Sequence, residues 1–318
     1  MSLDAPSFKQ SRVQQVHTGG PVVWHNVLDP NQAALKDLKA LFPFFQEEDL
    51  QDCLPPFQRP KMLRRDNYLF LVLLYPIFDS ISRTIVPYEV DFFIGKDFVV
   101  TSHRGTHPTL TSLTDACNAD TGTCTIRSGD TAMRLSLDVI HGLTVACFPM
   151  VTELSNELIG VEHELFDEID GDITKKMLRI RTSVVGFRKT MQGSDNVLRK
   201  LLEKGNTLFS MDEYRLQVDD INTHSREIRD FLENDRDTIS ALYDAHLALV
   251  SYRATQATKT LTALAFIIFP MTLVAAIFSM KAVHMPLTGM QNDFWLMIGC
   301  IFVTMLVIVI FLKRKKWL

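Results

Sequence analysis

A stripe of small and hydroxyl-bearing side chains lies within an apolar segment of this chain. Together these side chains could contact an ion or a neighbouring helix. They recur in steps of three and four, which puts residues on one face of an α-helix. Such a face can line a pore, or it can be a seam where a neighbouring helix packs closely, and the spacing fits both interpretations. The stripe consists of Thr255, Thr258, Thr262, Ala265, Phe269, Thr272, Ala276 and Ser279.

Two apolar segments near the C-terminal end must position this stripe. Leu261–Met280 and Phe294–Leu312 each hold roughly 20 residues without a charge, about the number that crosses a ~30 Å hydrocarbon core as a helix. We predict two transmembrane helices joined by an external loop, 281–293. The tail 313–318 is basic, so we expect a multi-pass protein of the inner (plasma) membrane with cytoplasmic termini. No apolar signal region follows Met1, so the first span is expected to direct insertion.

Composition excludes several other classes of protein. The chain has 33 Lys and Arg against 37 Asp and Glu, and no basic stripe with interleaved aromatic residues, so we expect no nucleic-acid partner. Its five cysteines include no C-x-x-C pair, which argues against a zinc site or a disulfide framework and favours reduced thiols. Gly95-Lys96-Asp97 lacks the rest of a phosphate-binding loop, and His163-Glu164 lacks the second histidine of a zinc-protease motif. We therefore expect no enzymatic activity.

The first part of the chain, 1–130, has the pattern of a cytoplasmic α/β domain. Val22–Trp24 is typical of a strand, and Asn31–Phe42 is typical of a helix that follows the Asp-Pro start signal. Tyr88–Thr101 alternates in polarity and is broken at Gly95, which predicts a β-hairpin. A sheet flanked by helices is the fold that these elements favour.

Beyond residue 130 the pattern changes to long, heptad-like stretches. We predict long antiparallel helices over 131–211 and a stalk helix over 212–260. Because no break signal separates Asp212 from Leu261, the stalk is expected to continue directly into the first span. The fold class predicted for the whole chain is an α+β membrane protein, with a cytoplasmic α/β domain, a helical stalk and two C-terminal transmembrane helices.

Several short motifs resemble the CorA family of divalent-cation transporters, in order and spacing, over nearly the whole length. They occur in the first span, the external loop, the basic tail and the cytoplasmic domain. The motifs are Phe269-Pro270-Met271-Thr272, Met285-Pro286, Lys315-Lys316-Trp317-Leu318, Val23-Trp24-His25-Asn26-Val27, Gln58-Arg59-Pro60-Lys61, Asn67-Tyr68 and Glu89-Val90-Asp91-Phe92-Phe93-Ile94-Gly95.

The resemblance implies a homopentamer in the lipid bilayer, with passive flux of Mg2+ or another divalent cation through one central pore. It also implies cytoplasmic Mg2+ as a regulatory ligand, bound between adjoining subunits by Asp52 and Asp220, since hard cations prefer oxygen ligands. Asp244 matches a family aspartate that faces the pore. Solvated surface acids, or a salt bridge for Asp244, are the alternatives. The implied pore-lining residues are Thr255, Leu261, Thr262, Phe269, Thr272 and Ser279, with Met280 and Lys281 at the entrance.

One departure from the family pattern bears on selectivity. The family places Gly-Met-Asn at the external end of the first span, whereas this chain has Ser279-Met280-Lys281. The change from asparagine to lysine replaces an amide oxygen by a cation that can only donate hydrogen bonds. Three interpretations follow: Lys281 turns away from the axis and divalent transport persists; the lysine ring gives anion or other non-magnesium selectivity; or a non-conducting sensor or scaffold remains.

Overall fold

The computed structural model describes most of the chain, in two compact units, Met1–Ala241 and Leu242–Leu318. The described residues are 12–16, 20–79, 84–118, 131–167, 171–204, 209–280 and 292–314.

A single six-stranded mixed sheet forms the centre of the first unit, in the order β1-β2-β6-β5-β4-β3. Strands β2 and β6 are parallel, and every other neighbouring pair is antiparallel. The predicted hairpin is confirmed, because β5 and β6 pair around a turn at Gly95. A Cβ at Gly95 would lie 2.1 Å from the Phe98 ring, so any larger residue in this turn would force that ring to move. The strands are β1 (Arg12–Val16), β2 (Val23–Leu28), β3 (Lys61–Arg64), β4 (Leu69–Asp79), β5 (Thr84–Ile94) and β6 (Phe98–His103).

Helix α1 (Gln32–Leu41) forms where the sequence predicts a helix. Its N-cap is Asn31, whose Oδ1 accepts hydrogen bonds from the backbone N–H groups of Ala33 and Ala34, both at 3.0 Å. Helix α2 (Glu47–Asp52) follows. The apolar side of α1 joins Phe45, Phe70 and Phe93 in the main hydrophobic core.

The opposite face of the sheet is covered by long helices. Helix α6 (Gly171–Lys204) packs on β4 and β5, and Ser194 of α6 exchanges two hydrogen bonds with the backbone of Leu74, at 2.9 and 2.6 Å. Burial on both faces explains why β4 starts with a continuous apolar run from Leu69 to Leu73 instead of an alternating pattern.

Long helices follow the sheet, as the sequence predicts, and α7 (Arg215–Ser279) begins in the first unit and continues into the second. Helices α5 and α6 are antiparallel, since Glu157 pairs with Arg179 and Glu164 pairs with Lys176. A 3₁₀ turn, Met211–Tyr214, precedes α7. The helices after the sheet are α3 (Pro108–Asn118), α4 (Ala132–Val145), α5 (Cys147–Asp167), α6 (Gly171–Lys204), α7 (Arg215–Ser279) and α8 (Asp293–Arg314).

The cysteines depart in part from the expectation of reduced thiols. Cys53 and Cys147 are free and buried, and Cys300 is free and exposed. Cys117, at the end of α3, is disulfide-bonded. The expectation was wrong for this residue because the lack of a C-x-x-C pair does not prevent a bond between cysteines that the fold brings within reach.

Among the described residues, three helical stretches are long and apolar enough to cross a membrane: Ala132–Leu165, Asp212–Ile277 and Phe294–Arg314. Half of the most apolar window of the first is buried inside the fold, against 6% in each of the other two. Packing on the sheet and its neighbouring helices accounts for the apolar character of the first stretch. The most apolar windows of the other two stretches are almost entirely unburied among the described residues, and these stretches overlap the two predicted spans.

Candidate pore lining and metal-binding residues

Threonines of the stripe on α7 use their hydroxyl hydrogens locally. Each donates to the carbonyl oxygen four residues earlier, as threonines in apolar helices commonly do. Because the hydrogen is committed to the backbone, the hydroxyl oxygen is left as an acceptor for groups beside the helix. The bonds run from Thr255 to Ser251 at 2.9 Å, from Thr258 to Ala254 at 2.9 Å, from Thr262 to Thr258 at 2.7 Å and from Thr272 to Ile268 at 2.9 Å.

The apolar members of the predicted pore lining are open to the surroundings in the single chain. Phe269 is 72% exposed, and Leu261 is also exposed. Within the described part of the second unit, the only buried apolar side chains are Leu242, Ala263 and Leu312. This unit therefore presents surface that requires lipid or other copies of the chain to cover it.

The predicted pore entrance is described only in part. Helix α7 ends at Ser279, and the Met280 N–H donates to the Ile277 carbonyl at 3.2 Å. The side chains of Ser279 and Met280 are both exposed. Lys281 lies outside the described residues, so its role at the entrance stays a prediction.

Asp52, a predicted metal ligand, ends α2 and carries an ion pair to Lys61 at 2.5 Å. Two further carboxyl groups, those of Glu89 and Asp91, lie near Asp52. Burial raises the pKa of Glu89, and burial together with the charge of Glu89 raises the pKa of Asp91 well above its usual range. By contrast Asp49, one turn before Asp52, is fully buried and is held by Arg65 and Tyr68. Asp52 is thus the α2 aspartate that remains partly accessible to a ligand.

The other two predicted metal ligands lie on α7. Asp220 is 60% exposed, and its Oδ2 lies 3.5 Å from Nε2 of His141 on α4. Asp244 is exposed and makes no ion pair or hydrogen bond with any other described residue. Within one chain Asp52 and Asp220 are not bonded to each other. Their predicted pairing joins adjoining subunits and stays a prediction.

Sequence reasoning missed two histidines beside Asp220. His141, Asp220 and His224 offer ligand atoms that all lie within 4.8 Å of one another. Asp220 and His224 are four residues apart on one helix face, a spacing that could have drawn attention to the pair. No sequence signal connects His141 to them.

The architecture is a sheet domain followed by a long helix and two apolar C-terminal segments, both long and apolar enough to cross a membrane. The sequence profile of the family described as "CorA-like Mg2+ transporter protein" matches residues 19–314. This chain belongs to that family, which confirms the resemblance drawn from the short motifs.

Individual relatives are distant but cover nearly the whole chain. The "Putative metal ion transporter YfjQ" of Bacillus subtilis is 25% identical over 91% of this chain and 86% of its own length. The "Cobalt/magnesium transport protein CorA" of Thermotoga maritima is 24% identical over 85% of this chain and 76% of its own length. The complete CorA structure from Methanocaldococcus jannaschii superposes with a TM-score of 0.83 at 20% identity, covering 99% and 95% of the two chains. This superposition confirms the predicted fold class.

Proposed function

We propose that the chain forms a homopentameric channel in the inner (plasma) membrane, through which Mg2+ or Co2+ moves passively. The N-terminal domain and both termini are cytoplasmic, and the two apolar segments span the bilayer. The ions named are those of the cobalt/magnesium transport proteins that this chain resembles. Family membership over residues 19–314 is the observation that carries the proposal.

The pore is lined by the stripe on α7. A hydrated cation presents water hydrogens outward, and hydroxyl oxygens that only accept hydrogen bonds suit that shell. Leu261 and Phe269 form apolar constrictions, which can close a pore by excluding water. The polar lining residues are Thr255, Thr262, Thr272 and Ser279, with Met280 and Lys281 at the entrance.

Cytoplasmic Mg2+ regulates this pore through carboxylates. Asp52 and Asp220 of adjoining subunits bind the ion, and Asp244 forms a further ring of carboxylates around the axis. Oxygen ligands of this kind match a hard cation. Partial accessibility of Asp52 and the exposure of Asp220 and Asp244 support these assignments.

Lys281 supports a second candidate function, a relative with anion or other non-magnesium selectivity. If five ammonium groups lay about 7 Å from the axis, a dication in their plane would meet an unscreened repulsion on the order of 6 kcal/mol at the dielectric of water. Salt shortens the reach of this repulsion to about 8 Å. A lysine that turns away from the axis would leave divalent transport intact.

The deciding experiment is flux of Mg2+, Co2+ and chloride into proteoliposomes that contain the full chain. Thr262→Val removes a stripe hydroxyl at nearly constant shape and is expected to lower Mg2+ flux. Its matched control is Thr260→Val, because Thr260 also donates to the carbonyl four residues earlier, at 3.1 Å, but lies off the stripe. Equal flux from the two variants would contradict the assigned lining.

Substitution at the entrance separates the two functions. Lys281→Asn raises Mg2+ flux if the lysine ring is the barrier, whereas Lys259→Asn, a change of the same kind on an exposed face of α7, does not. Chloride flux in the unmodified protein with no Mg2+ flux would favour altered selectivity. Pentameric mass without flux of any ion would leave a scaffold and overturn the channel proposal.

A further inference from the structure

The pair of helices α4 and α7 carries a side-chain cluster with two histidines, His141 and His224, that the channel proposal does not use. Three successive contacts set their register: Thr131 with Tyr214 at 2.7 Å, Asp138 with Gln217 at 2.7 Å, and His141 with Asp220 at 3.5 Å. All six residues belong to the first unit. The register brings His141 against the face of α7 that holds Asp220 and His224.

The two histidine rings lie close together without a hydrogen bond to explain their position. Their centroids are 5.2 Å apart, with the ring planes inclined at 47°. Nε2 of His141 and Nδ1 of His224 are both shielded from solvent and make no hydrogen bond to a described residue, and the Asp220 carboxylate approaches Nε2 of His141 only to 3.5 Å. An imidazole nitrogen that loses water without gaining a hydrogen bond destabilises the fold, so two such nitrogens in one place require an explanation.

A metal ion would satisfy both nitrogens and the nearby carboxylate. Imidazole nitrogens and carboxylate oxygens bind Zn2+ at about 2.0–2.2 Å, which places ligand atoms roughly 3.3 Å apart around a tetrahedral ion. The ligand atoms here lie within 4.8 Å of one another, so modest side-chain rotations would bring them to that spacing. Phe148 of α5 packs edge-on against His224 at 5.7 Å and limits the movement of that ring.

An open cavity of about 710 Å³ adjoins the cluster and gives an ion access from solvent. The cavity wall carries the carboxylates of Asp138, Glu213 and Asp220 and one guanidinium, that of Arg134. This balance of charge favours a cation. A three-ligand site at the wall also leaves room for a water molecule as the fourth ligand.

We propose that His141, Asp220 and His224 form a binding site, within one chain, for a borderline divalent ion of the Zn2+ or Co2+ type. Imidazole suits these ions, whereas Mg2+ requires oxygen ligands and keeps much of its water. The site is thereby distinct in chemistry from the carboxylate pair proposed for Mg2+. It shares Asp220 with that pair, so a bound Zn2+ ion would withdraw this carboxylate from Mg2+.

The test is titration of the metal-stripped full chain in detergent with Zn2+, in the presence and absence of a large excess of Mg2+, followed by calorimetry. A parallel titration with Co2+ reports nitrogen ligands through its visible absorption. We expect one high-affinity ion per chain that Mg2+ does not displace. His141→Asn and His224→Asn should each weaken Zn2+ binding on the order of 100-fold, since each removes one of three ligands.

Control measurements distinguish loss of the metal site from unfolding of the protein. His163→Asn changes an exposed histidine of α5 and should bind Zn2+ as the unmodified chain does. Unchanged thermal unfolding of the metal-free His141→Asn and His224→Asn proteins would show that the fold survives. Affinity unaffected by both substitutions, or complete displacement of Zn2+ by Mg2+, would overturn the site.

The regulatory consequence alone depends on the proposed channel. Zn2+ is expected to change Mg2+ flux in proteoliposomes, and His224→Asn should abolish that response while His163→Asn preserves it. Zn2+ binding without an effect on flux would retain the site and overturn its regulatory role. Absence of Mg2+ flux under every condition would overturn the channel and leave the binding result intact.

Discussion

Phenylalanine and threonine side chains have opposite environments in the two units of the molecule. In the first unit Phe93 is fully buried, stacked on Phe45 and tilted by 43° against Phe70, with centroid distances of 4.6 Å to each. In the second unit Phe269 is 72% exposed. Thr101 is buried in the first unit, accepts from the indole of Trp24 and donates to Asn26, whereas the stripe threonines bond only to their own helix.

This difference shows where each unit obtains its stability. The first unit covers its apolar groups and pairs most of its buried polar groups internally, as a water-soluble domain must. The second unit satisfies its backbone and hydroxyl hydrogens within single helices and leaves apolar side chains outward, which is the arrangement that a hydrocarbon environment requires. The same kind of substitution, such as removal of a phenylalanine ring or introduction of a charge, should therefore have different consequences in the two units.

The largest effect is expected from a cavity in the sheet core. Phe93→Ala removes a buried ring and should lower the free energy of unfolding of the first unit by about 3–5 kcal/mol. Phe269→Ala removes an exposed ring and should leave that free energy unchanged. Urea unfolding followed by emission of the buried Trp24, with Trp295 and Trp317 replaced by Phe, measures both. Comparable losses would show that the two units do not differ as described.

A charge on an apolar helix is expected to have a slightly smaller effect. Leu306→Asp on α8 should make membrane insertion of that helix less favourable by about 3–4 kcal/mol. Leu178→Asp on α6 places the same charge on a leucine that is 62% exposed, and should alter stability by less than about 0.5 kcal/mol. A membrane-insertion assay on the full chain provides the measurement. Normal insertion of the Leu306 variant would argue that α8 is not a span.

Acidification should destabilise the first unit through a buried histidine. Burial, with the charge of His103 adding to it, lowers the pKa of His107 from 6.5 to about 4. The folded state therefore holds His107 neutral, and the stability it contributes is complete above pH 6.5 and is lost as pH falls towards 4. The loss amounts to about 3 kcal/mol.

His107→Phe cannot be protonated and should remove this part of the pH dependence. The ring of His107 packs against Tyr88 with centroids 4.9 Å apart, so an aromatic replacement preserves the contact. Urea unfolding between pH 7 and pH 4, with the same Trp24 probe, measures the slope. An identical slope in the variant would mean that other groups cause the acid sensitivity.

Local elements of the fold were predictable because their signals lie within a few residues. The helix after Asp29-Pro30, the glycine turn at Gly95 and the two uncharged apolar segments each depend on geometry that neighbouring residues define. The order of the strands was not predictable in this way, since β2 pairs with β6 across most of the domain. The disulfide at Cys117 also escaped prediction, because no C-x-x-C pair marks it in the sequence.

The candidate sites also differ in whether local or long-range geometry defines them. The stripe was predictable from the sequence because steps of three and four define one helix face regardless of what surrounds the helix. Asp220 and His224 share a face for that reason as well. Their meeting with His141 was decided by the register of α4 against α7, which depends on how both helices bury their apolar sides in the first unit. The amino-acid sequence by itself therefore determined the apolar segments and the stripe, and only the tertiary structure decided which side chains from distant helices form a cluster.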